Sequence, residues 1–277
     1  MSMKTTLERS LRTLVANRFG KLKAFEGEKF IQEASELVAS EADTRDLDPK
    51  TRHYLLYRIQ RSLLPEFVIA DHGRIMLEDD TFRTTFEKFS GDNWTSFERK
   101  WNLKEFLRLT RQVEGDYAEC GVYRGGSAAL LCSAGGAWNK HVHLFDSFEG
   151  LSEPLESESH HWSAGDLTVS QELLESNLAE FDNYTVYPGW IPGRFSDVAD
   201  RKFSFVHVDV DLEEPTRDSI EFFFPRMSQG AVLLMDDHGY TTCPGARKAA
   251  LDYFESNNEE VLDLATGQGL VVKRAND

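Results

Sequence analysis

A short apolar segment runs directly into a glycine-rich turn at Asp116-Tyr117-Ala118-Glu119-Cys120-Gly121-Val122-Tyr123-Arg124-Gly125-Gly126-Ser127. Glycine lets the backbone turn sharply and approach a ligand that a β-carbon would exclude. The spacing differs from the Gly-x-Gly-x-x-Gly of dinucleotide-binding proteins, and an acidic residue, Glu119, precedes the first glycine. The segment predicts a strand, a ligand-binding turn and the start of a helix.

Short apolar runs that end in Gly, Asp or Pro alternate with helical stretches from about residue 111 onward. This alternation is typical of βαβ units around a parallel sheet. It predicts strands at 116–120, 141–145, 184–187, 204–210 and 231–235, and helices at about 127–134, 169–181, 216–225 and 246–256. Residues 261–264 and 270–273 predict a terminal antiparallel pair. The predicted fold class is α/β, a Rossmann-like and mostly parallel sheet closed by a hairpin, as in class I methyltransferases.

The first 110 residues differ from the rest, because their apolar positions recur at helical spacing with almost no strand-like alternation. Loops are expected at 78–81 and 91–93, and a helical pattern returns over 94–109. We therefore predict two parts. Residues 1–110 form a helical region that caps the site or mediates oligomerisation, and residues 111–277 form a methyltransferase-type domain.

The composition excludes several classes of protein. Against 31 Lys and Arg stand 47 Asp and Glu, and the resulting net charge of −16 opposes binding of nucleic acid or of an anionic membrane surface. The longest apolar runs contain about five residues, far fewer than the roughly 18 to 20 of a membrane helix. No signal-peptide core is visible, and the three cysteines lack Cys-x-x-Cys spacing. We expect a cytoplasmic protein with reduced thiols.

Two carboxylates near the glycine turn indicate its ligand. Glu119 suits an ammonium group, and S-adenosylmethionine carries an α-amine and a sulfonium but no phosphate, so this residue favours it over NAD. Asp146 ends the second strand, about 20 to 30 residues beyond the turn, where an acidic side chain can accept hydrogen bonds from both ribose hydroxyls. The alternatives are that Asp146 caps the turn at 147–150 and that the glycines only pack helix against strand.

Further ionisable residues follow the fourth and fifth strands. They are His207, Asp209 and Asp211 on one side of the fourth strand, and Asp236, Asp237 and His238 after the fifth. Open α/β sheets bind their ligands at the carboxyl ends of the strands, which is where unpaired carboxylates can be tolerated.

A divalent cation is the simplest way to hold Asp209, Asp236 and Asp237 together if these two strands are neighbours. Hard oxygen ligands favour Mg²⁺ or Ca²⁺ and also accommodate Mn²⁺. The alternative is that the carboxylates cap helices or pair with Arg217 and Arg247.

Several motifs in combination resemble one known family. They are Glu119, Gly121, Tyr123 and Ser127, then 146–151, Pro188-Gly189-Trp190, 207–212, Glu214-Pro215-Thr216 and Asp236-Asp237. Together they cover roughly residues 100–260 and resemble the macrocin O-methyltransferase (TylF) family. The resemblance implies a metal-dependent enzyme that uses S-adenosylmethionine to methylate a sugar hydroxyl of a glycosylated natural product or saccharide. It also implies a homodimer or higher homo-oligomer.

The resemblance assigns roles by position. Glu119 would bind the methionine end of the cofactor, Asp146 its ribose, and Asp209, Asp236 and Asp237 the Mg²⁺ or other divalent ion. The full set of cofactor-binding candidates is Glu119, Gly121, Tyr123, Ser127, Asp146, Ser147, Gly189 and Trp190. The chain departs from the family at Glu213 and His238, where aromatic residues are usual, and Leu212 stands where the related catechol O-methyltransferase has a lysine base.

The candidate catalytic residues are Asp209 and His238. A metal-bound hydroxyl has a lowered pKa, so that a nearby base can remove its proton. Asp209 is the first candidate for this base and His238, a titratable imidazole beside the expected metal, is the second. His207 fits a structural role as well, and His160 and His161 lie in a predicted loop near the substrate.

Two other functions stay open at this point. Asp209-Val210-Asp211 also matches the Asp-x-Asp of metal-dependent nucleotide-sugar glycosyltransferases, although that function leaves Glu119 and Asp146 without a role. A non-catalytic protein that binds S-adenosylmethionine to regulate or scaffold a partner has no need for three clustered carboxylates. Binding of UDP-sugars would favour the first, and retention of cofactor without methyl transfer would favour the second.

Overall fold

The computed structural model describes residues 71–89, 96–158, 160–257 and 259–275, together with isolated positions between 53 and 66. The chain divides into two compact units, Met1–Arg83 and Thr84–Asp277. The first contains helix α1 (Asp71–Glu78) and the start of α2 (Asp80–Phe89). The loop predicted at 78–81 is reduced to Asp79, whose carboxylate accepts a hydrogen bond from the Phe82 N–H. The predicted glycine loop at 91–93 and the helical pattern before residue 50 lie outside the described residues.

The second unit carries the sheet. It begins with the remainder of α2, helix α3 (Phe97–Leu107) and a 3₁₀ turn (Arg108–Thr110). The order then is β1 (Asp116–Cys120), α4 (Gly126–Trp138), β2 (Val142–Asp146), α5 (Gln171–Asn177), β3 (Tyr184–Pro188), β4 (Phe203–Val208), α6 (Glu213–Phe223), β5 (Met227–Met235), α7 (Pro244–Ser256), β6 (Leu262–Asp263) and β7 (Gly269–Val272). No helix in these ranges is long and apolar enough to span a bilayer.

The seven strands form one sheet in the order β3-β2-β1-β4-β5-β7-β6. Strands β1 to β5 pair in parallel, whereas β7 pairs antiparallel with both β5 and β6. This topology confirms the predicted fold class, including the terminal hairpin. It also makes β4 and β5 neighbours, which brings the carboxylates that follow them to one edge of the sheet.

The central strand of the sheet is covered on both faces. All six residues of β4 are buried, as expected for a central parallel strand. An aromatic cluster fills one face, where the Phe223 ring lies 4.9 Å from that of Phe203 and 5.7 Å from that of Phe145, in edge-to-face geometry. This packing fixes the positions of β2 and β4, and therefore of the loops that leave their carboxyl ends.

Several element boundaries differ from the sequence prediction. Helix α6 begins at Glu213 and not near 216, because Pro215 is tolerated in the first turn of a helix. Helix α5 is shorter than expected and starts after Ser170, whose hydroxyl accepts from the Leu173 N–H. Strand β4 ends at Val208. Asp209 therefore lies just beyond the strand, at the opening of a loop.

Candidate functional site

A cavity of about 660 Å³ opens at the carboxyl ends of β1, β2 and β4, where open α/β sheets bind ligands. Its wall includes six of the predicted cofactor residues, namely Gly121, Tyr123, Ser127, Asp146, Ser147 and Trp190. Of the predicted metal ligands, Asp209 and Asp237 line it. The remaining predicted residues, Glu119, Gly189, Asp236 and His238, are not part of this wall.

The glycine turn is held against the loop that follows β4. Gly121 has a φ of +79°, and a β-carbon on it would lie 1.8 Å from the carbonyl oxygen of Asp209. The Gly121 N–H donates to the Phe145 carbonyl at 2.9 Å, and the Asp209 N–H donates to the Cys120 carbonyl at 2.9 Å. Because Gly121 has no side chain, the glycine turn can lie close to the backbone of Asp209.

Asp146 organises the turn as well as lining the cavity. Its Oδ2 accepts hydrogen bonds from the Val122 N–H at 2.8 Å and the Tyr123 N–H at 2.9 Å, and its Oδ1 accepts from the Phe148 N–H at 2.8 Å. The turn-capping role named as the alternative is thus present in the structure. A carboxylate offers about four lone-pair sites, so these three bonds leave room for a ribose hydroxyl.

Glu119 is fully buried and lies behind the cavity wall. Its Oε1 lies 2.8 Å from Nδ1 of His207, which is also fully buried, and its Oε2 has no hydrogen-bond partner among the described residues. Burial opposes a charge on His207, but hydrogen bonds to Asp236 and Glu119 outweigh it and raise the pKa of the imidazole to about 9. Glu119 is therefore paired with His207 through one oxygen, and it is not part of the cavity wall.

Asp236 is the most heavily engaged carboxylate of the cluster. Its Oδ1 accepts from Nε2 of Gln268 at 2.7 Å and lies 3.3 Å from Nε2 of His207, and its Oδ2 accepts from Arg99 at 2.6 Å. Burial alone would raise the pKa of Asp236, but Lys100, His207 and Arg99 hold it far below its usual range. Asp236 is consequently a permanent anion that ties β5 to α3.

Arg99 and Lys100 are the functional residues that the sequence analysis missed. Lys100 is buried, and its Nζ donates to Ser127 Oγ at 2.6 Å and to Asp209 Oδ2 at 3.3 Å. Arg99 bonds Asp236 and lies 3.9 Å from an oxygen of Asp237. The cations proposed earlier as partners are used elsewhere, since Arg217 pairs with Glu213 and Arg247 with Asp263.

Carboxyl groups are crowded together at the cavity end of the cluster. Four carboxylates, those of Asp209, Asp211, Asp236 and Asp237, meet the two cations of α3. Burial raises the pKa of Asp211 to about 7, with a further contribution from Asp209, and burial together with Asp211 and Asp209 raises that of Asp237 well above its usual range.

The donor set fits a divalent cation in the chemistry of its ligand atoms. Potential ligand atoms of His207, Asp209 and Asp236 lie within 4.8 Å of one another, and the same holds for Asp211, Asp237 and Cys243. Carboxylate oxygens are the donors that Mg²⁺ and Ca²⁺ prefer. Asp209 and Asp237 line the cavity, whereas Asp236 is not part of its wall and has its two oxygens engaged by Gln268, His207 and Arg99.

His238 faces away from the cavity. Its ring is buried, Nε2 lies 3.0 Å from Asp263 Oδ1, and a β-carbon on Gly269 would lie 2.7 Å from its Cγ. Burial lowers the pKa of this imidazole. The structure thus ties His238 to the terminal hairpin. Of the two loop histidines, His161 lines the cavity and His160 is exposed.

A loop over residues 151–166 closes one side of the cavity. Its ends meet through hydrogen bonds between Leu151 and Gly165 at 2.9 Å and between Leu151 and Asp166 at 2.8 Å. Its buried Glu158 accepts from the Glu213 N–H, at the start of α6, at 2.7 Å. This anchor holds the segment that carries Trp162, a buried residue of the cavity wall.

The sequence was compared with known proteins. Residues 95–264 match the profile of the family described as Macrocin-O-methyltransferase (TylF). The chain is 31% identical over 160 residues to the 8-demethyl-8-(2,3-dimethoxy-alpha-L-rhamnosyl)-tetracenomycin-C 4'-O-methyltransferase of Streptomyces olivaceus, a match that covers 52% of this chain and 60% of that relative. It is 26% identical to the demethyldecarbamoylnovobiocin O-methyltransferase of Streptomyces niveus, with 63% of this chain and 74% of the relative covered.

Solved structures show the same architecture. The O-methyltransferase NovP superposes with a TM-score of 0.58 at 20% identity, covering 82% of this chain and 100% of that one. The calicheamicin methyltransferase CalS11 gives 0.56 at 16% identity, covering 77% and 97%. At these identities the likeness establishes the fold.

Proposed function

The chain belongs to the macrocin-O-methyltransferase (TylF) family, and from this premise we propose that it transfers the methyl group of S-adenosylmethionine to a sugar hydroxyl of a glycosylated natural product or saccharide, with a divalent ion in the site. One observation carries the proposal. The cavity at the strand ends joins the glycine turn and Asp146 on one side to Asp209 and Asp237 on the other. The relative from Streptomyces olivaceus is named as an O-methyltransferase of a compound that carries a rhamnosyl group, which supports an acceptor of this class.

The cofactor end of the cavity suits a cationic nucleoside. Asp146 is placed for the ribose, and Gly121, Tyr123, Ser127, Ser147 and Trp190 complete that part of the wall. S-adenosylmethionine supplies an electrophilic methyl group on a sulfonium. The carboxyl groups that line the cavity favour that positive ligand over a nucleoside diphosphate. Gly189 contributes through its backbone, since its φ of +137° turns the chain toward Trp190.

Asp209, Asp236 and Asp237 are the proposed ligands of Mg²⁺ or another divalent ion. Such an ion lowers the pKa of a coordinated hydroxyl and balances the charge that develops on its oxygen. Asp236 is kept anionic by Arg99 and His207, and Asp209, at the cavity wall, is the base placed to accept the hydroxyl proton. Because His238 is turned toward Asp263, it is not part of this proposal for the base.

Exclusion of water is the task of the surrounding elements. The loop over 151–166 brings Trp162 and His161 to the wall, and Tyr240 borders the opposite part of the cavity. Transfer between an anionic oxygen and a sulfonium cancels charge, so a dry pocket that holds both at contact distance lowers the barrier.

A homodimer or higher homo-oligomer is part of the proposal, and sedimentation of the full chain measures it.

The direct test is methyl transfer with isotope-labelled S-adenosylmethionine and a panel of glycosides, followed by mass spectrometry. We expect labelled product from at least one glycoside, lost after treatment with EDTA and restored by Mg²⁺ or Mn²⁺. Labelled product that is unchanged by chelation would contradict the metal site. Binding of UDP-sugars without binding of S-adenosylmethionine would replace the proposal by a glycosyltransferase, and cofactor binding without transfer to any acceptor would favour a non-catalytic role.

A further inference from the structure

Lys100 is a buried cation on the wall of the cavity. Its ammonium is largely removed from water, which is unusual for a lysine. Its side chain is 10% exposed, its Nζ donates to Ser127 Oγ at 2.6 Å and Asp209 Oδ2 at 3.3 Å, and Asp236 Oδ2 lies 3.8 Å away. Burying an ammonium is unfavourable unless it is paired, and these carboxylates offset that cost. Lys100 also lines the cavity, and since an ammonium has three N–H donors, the hydrogen bonds to Ser127 and Asp209 leave one donor for a ligand.

The first turn of α4 lies against this ammonium. Gly125 occupies the N-cap position with a φ of +90°, and no side chain caps the helix there. The backbone N–H groups of a first helical turn lack partners within the helix and carry partial positive charge. Gly126 and Ser127, the first two residues of this 13-residue helix, line the cavity. A buried cation, a hydroxyl and an uncapped helix start therefore converge on one point of the wall.

The position matches one end of the cofactor. Asp209 lies beside Lys100, so the wall presents a negative and a positive group next to each other. The methionine end of S-adenosylmethionine carries an ammonium and a carboxylate on the same carbon, the complementary arrangement. Glu119, the residue predicted for this end, is fully buried and paired with His207, and it is not part of the cavity wall.

We infer that Lys100, with Ser127 and the first turn of α4, binds the α-carboxylate of the cofactor, while Asp209 faces its α-ammonium. The inference rests on the proposed function, since it concerns the same ligand. Charge-assisted hydrogen bonds in a buried site are among the strongest that a protein forms. Lys100 thereby links α3, an element outside the glycine turn, to cofactor selection.

The test compares two ligands by calorimetry with the full chain: S-adenosylmethionine and its decarboxylated analogue, which lacks only the carboxylate. The unmodified chain is expected to bind S-adenosylmethionine at least about tenfold more tightly. In Lys100→Met that preference is expected to disappear, mainly through weaker binding of S-adenosylmethionine. Lys104→Met, on the same helix and away from the cavity wall, is the matched control and should keep the preference.

The outcomes separate this inference from the proposed function. Equal affinity of the unmodified chain for both ligands would overturn the inference but not the proposed function. This comparison does not depend on whether any variant folds. A full preference retained in Lys100→Met would also overturn it. Lys100→Arg, which keeps the charge, should retain most of the preference. An unmodified chain that binds neither ligand would overturn the proposed function together with the inference.

Discussion

At the scale of single residues, Gly121 is the tightest constraint in the site. Replacement by alanine places a β-carbon 1.8 Å from a backbone carbonyl at a φ of +79°, where side chains are strained in any case. Gly121→Ala is expected to lower the free energy of unfolding by at least about 3 kcal/mol in urea denaturation. Gly136→Ala in α4, whose new β-carbon meets an atom only at 3.9 Å, is the control and should be neutral or stabilising. Equal stability of the two variants would contradict the close approach of the turn to Asp209.

Asp209 has three proposed roles, as a metal ligand, as the base and as the partner of the cofactor's α-ammonium. Asp209→Asn keeps the shape of the side chain and removes its charge, so turnover is expected to fall by at least about 100-fold. Affinity for the demethylated cofactor should fall by less than about tenfold, because the α-ammonium loses one charged partner while Lys100, Asp146 and the glycine turn remain. Rate measurements together with calorimetry check both statements, with the exposed Asp182→Asn as control. Full activity of Asp209→Asn would contradict the proposed roles of Asp209 as a metal ligand and as the base.

Residue by residue, the sequence located the carboxylates and missed their counterions. Asp146, Asp209 and Asp237 were predictable because carboxyl ends of parallel strands converge on one edge of a sheet. Arg99 and Lys100 follow Glu98 in a charged run that is typical of a solvated helix face. Their partners lie more than a hundred residues further along the chain, at Asp209 and Asp236. Gln268 was missed for the same reason, since only the hairpin geometry brings it to Asp236.

Among the elements, the loop over 151–166 depends on the space that accommodates the Glu158 side chain beside α6 and α7. A β-carbon on Gly245, at the start of α7, would lie 1.9 Å from Glu158 Oε1 and 2.6 Å from Glu213 Cβ. Gly245→Ala is expected to displace the loop and to speed proteolytic cleavage within it by about tenfold or more, because local opening becomes easier. Mapping of limited-proteolysis fragments measures this. Glu156→Gln, an exposed change in the same loop, should leave the cleavage rate unaltered, and unaltered cleavage in Gly245→Ala would contradict the anchor.

The contact between α6 and α7 predicts a pH dependence of stability. Burial raises the pKa of Glu213, but hydrogen bonds from Lys248 and Arg217 outweigh it and leave the pKa below its usual value. A depressed pKa in the folded state contributes stability that is present above the unfolded value, about 4.3, and is lost as the pH falls through the folded value.

Thermal unfolding between pH 3 and pH 6 tests this linkage. In Glu213→Gln the fall of the midpoint on acidification should be shallower than in the unmodified chain. The exposed Glu255→Gln, on α7, should retain the original slope. An unchanged slope in Glu213→Gln would show that the Glu213 pairs do not contribute.

Element boundaries were predicted less well than element types. The strands and helices from β1 onward were all found in the sequence, because their periodicity is set by a buried sheet. The start of α6 was placed too late because Pro215 resembles a helix end. Strand β5 begins at Met227, earlier than predicted, in a stretch whose pairing with β4 shifts register between Phe203 and Phe205. Such irregularities leave no trace in hydrophobic patterning.

At the scale of the whole molecule, the sequence predicted the sheet and the edge of the sheet at which the site lies. The chain divides into two compact units between residues 83 and 84. Helix α3 therefore lies in the same unit as the sheet, which is how its cations reach the site. A net charge of −16 over the chain and a carboxylate-rich cavity act in the same direction, since both favour ligands that are neutral or positive. Both features agree with the proposal that the site takes S-adenosylmethionine and not a nucleotide sugar.

Calorimetric titration of the full chain with S-adenosylmethionine, its demethylated product and a UDP-sugar, each with and without Mg²⁺, tests the central claim most directly. The account predicts saturable binding of S-adenosylmethionine and of the demethylated product, and no binding of the UDP-sugar. Binding of the UDP-sugar with no heat from either adenosyl ligand would contradict it.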